Sequence, residues 1–112
     1  MTMEATCNLS ERECIPCKGG VPTLPPDQQQ LLLQQLPEGW HIIEAHHLEK
    51  KFSFPDFKEA LAFTNHAGEI AESQNHHPEI TLTLGIVIIK IWTHKIDGLT
   101  ESDFVLAAKI DK

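Results

Sequence analysis

Residues 79–94, EITLTLGIVIIKIWTH, contain two consecutive patterns that decide the fold. In the first, residues 80–84 alternate isoleucine and leucine with threonine, which is the period-two pattern of a strand with one buried face. A glycine marks a bend. Residues 86–92 follow and are apolar on both faces apart from one lysine, so we expect this strand to be covered on both sides. The stretch therefore predicts two strands joined by a tight turn.

The rest of the chain supplies a second pair of strands and three helices. Residues 40–54, WHIIEAHHLEKKFSF, predict two short strands with a bend at residues 45–47. Helical patterns cover residues 25–36 and 55–77, and a turn at Asp97-Gly98 leads into a final helix that ends near residue 110. The order is α-β-β-α-β-β-α. We expect an α+β fold in which a four-stranded antiparallel sheet carries the helices on one face.

Short signals mark the helix boundaries. Pro55 suits the start of the long helix, and Pro78 disfavours helical geometry at His77 and so is predicted to end it. Thr100 can cap the last helix, with Asp103 as the capping-box partner three residues later. The long helix is predicted to present a broad face of small and apolar residues: Phe57, Ala60, Leu61, Phe63, Thr64, Ala67, Gly68, Ile70 and Ala71.

Length and charge limit the functional classes. The chain has 112 residues, enough for one domain, which we place at residues 25–112 after an irregular leader at residues 1–24. The formal net charge is −7 without a block of basic residues, which argues against a nucleic-acid partner. We find no apolar run of the ~20 residues that a membrane span needs. Without a recognisable secretion signal, we expect a cytoplasmic protein.

The three cysteines all fall in the leader, at positions 7, 14 and 17. An odd number argues against a closed disulfide framework. Cys14 and Cys17 form one CxxC, but a structural zinc site normally needs four ligands. A zinc or redox role stays an alternative to a plain irregular leader.

The histidines near the end of the long helix carry the chemistry. Glu72 lies four residues before His76, so on a helix the two would share a face, and the carboxylate could hold the imidazole in one tautomer. Imidazole titrates near neutrality, which suits proton transfer. His76 and His77 sit side by side before a proline, and His94 ends the last strand. Other histidines are interpreted as surface residues: His41, His46, His47 and His66.

Two other interpretations of these histidines stay open. Histidines are common at helix C-termini because the helix dipole favours their charged form. Three histidines and a carboxylate could also hold zinc, although neither the HxH nor the HExxH spacing is present. Nucleophilic catalysis has little support because no GxSxG sequence occurs and the cysteines lie in the leader.

In these residues the chain resembles the pterin-4a-carbinolamine dehydratase family, over residues 31–110. The shared pattern is a glutamate, then His-His-Pro-Glu, then Thr-His at a strand end, then Gly-Leu-Thr and an aspartate. It is found here in that order: Glu72, HHPE at 76–79, TH at 93–94, GLT at 98–100 and Asp103. GW at 39–40 and FSFPDFKEALAF at 52–63 match as well.

The resemblance implies an enzyme, a hydro-lyase that dehydrates 4a-hydroxytetrahydropterin to quinonoid dihydropterin in tetrahydrobiopterin recycling after aromatic amino-acid hydroxylation. It implies no metal and no organic cofactor. By the same carry-over, His76 and His94 would be acids at the departing hydroxyl. His77 would bind substrate and assist with the N5 proton, and Glu72 would orient its histidine. Residues implied in substrate binding are Trp40, Pro78, Thr93, Lys95, Ile96 and Asp103.

A scaffold without catalysis is the alternative from another class. The same fold serves in this family as a dimerisation cofactor of a transcription factor and, in a degenerate relative, in Rubisco assembly. Such a scaffold has no need of the three histidines and Glu72, which this chain keeps. The doubly apolar strand and the small helical face also lead us to expect a homodimer or homotetramer.

Overall fold

The structure, a computed structural model, describes residues 23–111. The leader predicted at residues 1–24, with its cysteines, lies outside the described residues except for Thr23 and Leu24. The Leu24 backbone N–H donates to the Leu99 carbonyl oxygen at 2.9 Å. The elements in chain order are α1 Pro26–Leu33, β1 His41–Ile43, β2 His47–Ser53, α2 Phe57–Gln74, β3 Glu79–Leu82, β4 Ile86–Ile91 and α3 Glu101–Ile110.

The four strands form one antiparallel sheet in the order β1-β2-β4-β3, as the sequence predicts. Leu48 of β2 pairs with Ile91 of β4, and Ile80 of β3 pairs with Ile89 of β4. These partners lie on one face, and the side chains of Leu48, Ile89 and Ile91 are fully buried. The register therefore places the core on one side of the sheet.

Helices α2 and α3 cover that side. Helix α3 packs on β2 and β4, and α2 packs on β3, β4 and α3. Nearly every residue of α3 is buried, including Phe104 and Leu106, because this helix lies between the sheet and its neighbouring helices. The expected fold class, with the helices on one face, is confirmed.

Strand β4 shows a clearer alternation than its sequence suggests. Val87, Ile89 and Ile91 are fully buried, whereas Ile86 and Ile88 on the opposite face are half-buried. Within one chain the helices therefore cover β4 on one face.

The first hairpin turns slightly earlier than predicted. Glu44 and Ala45 both have positive φ angles, 53° and 55°, the left-handed pair that a tight hairpin turn requires. The His46 backbone N–H closes the turn on the Ile43 carbonyl oxygen at 2.9 Å. His47, which the sequence placed in the bend, is instead the first residue of β2.

The predicted face of α2 divides into two parts. Ala60, Ala67 and Ala71 are buried in the core, and their small side chains let the helix approach the sheet closely. Phe57 and Leu61 keep 44% and 40% of their surface exposed.

Among the described residues, no helix is both long enough and apolar enough to cross a membrane.

Candidate active site

The exit from α2 sets the direction of the two adjacent histidines. The helix ends at Gln74, and Asn75 takes a left-handed conformation with φ 52°. The His76 backbone N–H then donates to the Ala71 carbonyl oxygen at 3.1 Å, which closes the helix end. The sequence prediction that Pro78 ends the helix was three residues too long, because asparagine adopts this conformation readily.

His76 turns towards the first turn of α3. Its Nε2 lies 2.6 Å from Oδ1 of Asp103. The His76 side chain is 13% exposed, and that of Asp103 is fully buried. A buried carboxylate this close to a ring nitrogen fixes the orientation of the imidazole.

Asp103 is held by further donors. Its Oδ2 accepts hydrogen bonds from the Thr93 hydroxyl and from the Thr100 backbone N–H, both at 2.8 Å. The second bond belongs to the capping box of α3, which confirms the predicted cap. Because Asp103 is buried and both of its oxygens are occupied, we interpret it as a positioning residue for His76. The predicted contact of Asp103 with substrate stays a prediction.

His77 pairs with the carboxylate that the sequence assigned to its neighbour. Its Nε2 lies 2.8 Å from Oε1 of Glu72, and both side chains are largely exposed. The predicted Glu72–His76 pair required a helix that continues to His76. Since the chain reverses at Asn75, Glu72 faces His77 and Asp103 takes His76.

The two pairs have the same chemical consequence. An ionised carboxylate can only accept a hydrogen bond, so Nε2 of each imidazole carries the hydrogen. In the neutral ring Nδ1 is then unprotonated and can accept a proton, and in the charged ring Nδ1 can donate one. Each of His76 and His77 thus has one nitrogen fixed by the protein and one suited to proton transfer.

The third histidine lies on the loop after β4. The Thr93 backbone N–H donates to the Gly98 carbonyl oxygen at 2.8 Å, which closes this loop at its base. His94 is exposed, and its ring packs on that of Trp92 with centroids 4.5 Å apart. Thr93 links His94 to His76. It directly precedes His94, and its hydroxyl bonds to Asp103, the carboxylate that holds His76.

The remaining predicted substrate-binding residues differ in position. Lys95 is exposed, and Ile96 and Pro78 are half-buried, so all three have surface available to a ligand. Thr93 is only 3% exposed and its hydroxyl bonds to Asp103, which makes its side chain part of the support for the site.

Trp40 lies elsewhere in the chain. It is 4% exposed, and its indole N–H donates to Oδ2 of Asp111 at 2.9 Å. Asp111 caps the far end of α3, about 12 Å along the helix from Asp103 at 1.5 Å per residue. The structure therefore does not bring Trp40 to the histidines of its own chain. Its burial in the core explains a tryptophan at this position as well as a contact with substrate would.

Three residues without a predicted functional role also lie in this region. His46 and His47 were interpreted as surface residues, but both are half-buried and their Nδ1 atoms lie 3.0 Å apart. Trp92 was counted only as an apolar strand residue. Its place two residues before His94 was the available signal, since both follow the end of the same strand. Among residues 23–111 no three His, Cys, Asp or Glu side chains are grouped so that they could hold a metal ion.

Sequence comparisons with known proteins point to one family. The family model described as pterin 4 alpha carbinolamine dehydratase matches residues 22–112. A protein of Rubrobacter xylanophilus, provisionally named a pterin-4-alpha-carbinolamine dehydratase, is 56% identical over 93% of this chain and 96% of its own length. A similarly named protein of Rickettsia bellii is 52% identical over 97% of this chain and 96% of its own.

Solved structures share the fold. The crystal structure of a transcriptional coactivator/pterin dehydratase from Brucella melitensis superposes with a TM-score of 0.74 at 30% identity, covering 80% of this chain and 95% of that one. A pterin dehydratase-like protein identified as a RuBisCO assembly factor of the alpha-carboxysome has a TM-score of 0.58 at 24% identity, which shows the fold alone. With its family model, its relatives and its fold in agreement, the chain belongs to the pterin-4-alpha-carbinolamine dehydratase family, whose named activity is that of a hydro-lyase.

Proposed function

We propose that this chain dehydrates 4a-hydroxytetrahydropterin to quinonoid dihydropterin by proton transfer through histidines. The observation that carries the proposal is the His76–Asp103 pair, in which a fully buried carboxylate lies 2.6 Å from Nε2 of an imidazole in a member of this family. A buried carboxylate that meets a histidine at this distance is a common way to prepare an imidazole for proton transfer.

The proposed reaction needs one proton donor and one proton acceptor. The C4a–O bond breaks, and the hydroxyl leaves as water after it receives a proton from an imidazolium. The N5–H proton passes to a neutral imidazole, and its electron pair forms the N5=C4a double bond. Substrate and product have the same oxidation level, so the step needs no oxidant or reductant.

We assign the leaving hydroxyl to His76 and His94, which lie on different segments. Nδ1 of His76 is the nitrogen that Asp103 leaves available. His94 is exposed next to Thr93, whose hydroxyl bonds to the same carboxylate. Acids on two segments can approach the 4a-hydroxyl from different sides.

We assign the N5 proton to His77, with Glu72 as its positioning residue. Their 2.8 Å contact leaves Nδ1 of His77 available as the base. General acid–base catalysis of this kind contributes roughly 10²–10⁴-fold to a rate. We further propose that Pro78, Lys95 and Ile96 line the pterin site, since each keeps accessible surface beside these histidines in the sequence.

We place this activity in tetrahydrobiopterin recycling, linked to an aromatic amino-acid hydroxylase in the cytoplasm.

A homodimer or homotetramer is part of the same proposal. Ile86 and Ile88 on the helix-free face of β4 are only half-buried, and Phe57 and Leu61 are exposed on α2. Burial of such surface by a second copy is the physical reason to expect assembly. Light scattering at micromolar concentration tests it, and a monomer would contradict it.

Stopped-flow spectroscopy of freshly prepared 4a-hydroxytetrahydropterin tests the activity. The wild-type protein should accelerate decay over the buffer blank and give the quinonoid dihydropterin spectrum. If it matches the blank, the proposed activity is wrong. The non-catalytic scaffold then becomes the better hypothesis, and affinity purification of a protein partner is the next experiment.

A further inference from the structure

Trp92 lies among three imidazole rings, of which the proposed reaction uses one. Its indole centroid is 4.5 Å from that of His94, 5.3 Å from that of His46 and 5.8 Å from that of His47. We call these four residues the ring cluster. They come from the first hairpin turn, from β2 and from the segment after β4, so the cluster forms only in the folded chain.

Hydrogen bonds fix the two histidines behind Trp92. Nε2 of His46 lies 2.6 Å from Oδ1 of Asp97, and its Nδ1 lies 3.0 Å from Nδ1 of His47. An ionised Asp97 can only accept, so His46 donates to it through Nε2. Nδ1 of neutral His46 then accepts from Nδ1–H of His47. Nε2 of His47 lies 3.6 Å from Oε1 of Glu49, which attracts the ring only in its charged form. The hydrogen bonds to Asp97 and between the two rings therefore set the orientations of His46 and His47.

Asp97 connects this arrangement to the loop that carries His94. Its backbone N–H donates to the His94 carbonyl oxygen at 3.3 Å, and its φ of 52° reverses the chain. The loop from His94 to Asp97 is thus held at two points. His46 of the first hairpin bonds to Asp97, and the His94 ring packs on Trp92. Asp97 and the other three members of the ring cluster together restrict where the His94 ring can lie.

His94 needs such support more than the other two proposed histidines. It is exposed, and an exposed side chain samples several rotamers. His76 and His77 are each held by a carboxylate, whereas the ring of His94 packs on an indole. An aromatic ring pair of this geometry favours one arrangement by roughly two- to tenfold.

We infer that Trp92, supported by His46 and His47, is a positioning residue that holds the His94 imidazole in the orientation needed for proton transfer. The inference rests on the proposed function, in which His94 serves the departing hydroxyl. Trp92 acts through His94 and need not touch the pterin.

A double-mutant cycle tests the inference in the full chain. Trp92→Leu should lower kcat for dehydration about two- to tenfold with little change in KM, and Trp92→Phe should retain most of the activity. In a His94→Ala background, Trp92→Leu should cause no further loss, because the residue on which it acts is absent. An equal loss of kcat in both backgrounds would overturn the inference, and so would full activity of Trp92→Leu.

A second measurement does not depend on turnover. Ring protons of His94 packed on an indole should show an upfield ring-current shift by NMR, which Trp92→Leu abolishes. Trp40→Phe, which alters the chain's other tryptophan, should leave that shift in place. If the shift is present but the wild type does not catalyse dehydration, the proposed function fails and the contact stands. If dehydration is catalysed but the shift is absent, the role of Trp92 fails alone.

Discussion

Replacement of Asp103 by asparagine separates the structural role of this residue from its effect on His76. The amide oxygen of asparagine can still accept from the Thr93 hydroxyl and the Thr100 N–H, which both bond to Oδ2 of the aspartate. The amide NH2 then faces Nε2 of His76, which the aspartate meets at 2.6 Å. Two donors cannot pair, so neutral His76 must move its hydrogen to Nδ1. The charged ring, which carries a hydrogen on both nitrogens and is the proposed acid, is disfavoured by the same amide.

The expected losses of stability follow from the same contacts. Asp103→Asn exchanges three hydrogen bonds to a carboxylate, from His76, Thr93 and Thr100, for neutral ones, which lowers the free energy of unfolding by about 1–2 kcal/mol. Asp103→Ala removes the helix cap and leaves the buried Thr93 hydroxyl without its acceptor, for a total of about 3 kcal/mol. Asp103→Asn should nevertheless lower kcat roughly 10²-fold, the lower end of what general acid–base catalysis contributes.

Urea denaturation at a fixed protein concentration, combined with stopped-flow dehydration, measures both effects on the same samples. We expect Asp103→Asn to be folded and slow, and Asp103→Ala to be clearly less stable. A folded Asp103→Asn protein with wild-type kcat would refute the argument that Asp103 sets the tautomer of His76.

Three further substitutions test separate parts of the structure. Asn75→Ala should lower the free energy of unfolding by about 1–2 kcal/mol because of the positive φ, whereas Asn75→Gly should not; equal urea midpoints would contradict the left-handed helix end. Glu72→Gln should change stability by less than ~1 kcal/mol, since both it and His77 are largely exposed, but should lower kcat at least severalfold; unchanged kinetics would remove Glu72 from the site. Trp40→Phe removes the bond to Asp111, so it should lower the free energy of unfolding by about 1 kcal/mol and leave kcat nearly unchanged. A large fall in kcat would show that Trp40 takes part in the active site.

The sheet was predictable because its signals are local. Alternation at Ile80 and Leu82, the glycine at position 85 and the Asp97-Gly98 turn each act over a few residues and appear where the sequence placed them. The predicted alternation extended too far, because β3 ends at Leu82 and Leu84 is 76% exposed. The capping box of Thr100 and Asp103 was predictable for the same reason, since its two partners are three residues apart.

The pairing of histidines with carboxylates was not predictable from local spacing. An i, i+4 argument joins Glu72 to His76 only if the helix continues, and the left-handed Asn75 reverses the chain before that residue. The actual partner of His76 lies 27 residues away on another helix. Only the packing of α2 against α3 brings the two together. Contacts at this separation leave no periodic signal in one sequence.

Trp40 and the His46–His47 pair illustrate the same limit. The family resemblance implied a substrate contact for Trp40, and the two histidines were interpreted as surface residues. Trp40 instead lies in the core and bonds to Asp111, so its contact with substrate stays a prediction, and the half-buried His46 and His47 pack against Trp92.

Dependence of dehydration on the three histidines is tested by comparing the rate constants for 4a-hydroxytetrahydropterin dehydration by four proteins. These are the wild type, His77→Ala, the double mutant His76→Ala/His94→Ala, and His66→Ala as a control at an exposed position on α2. We expect the wild type and His66→Ala to accelerate the reaction equally and the other two proteins to lose most of the acceleration. Undiminished rates in His77→Ala and in the double mutant would show that the reaction does not depend on these histidines.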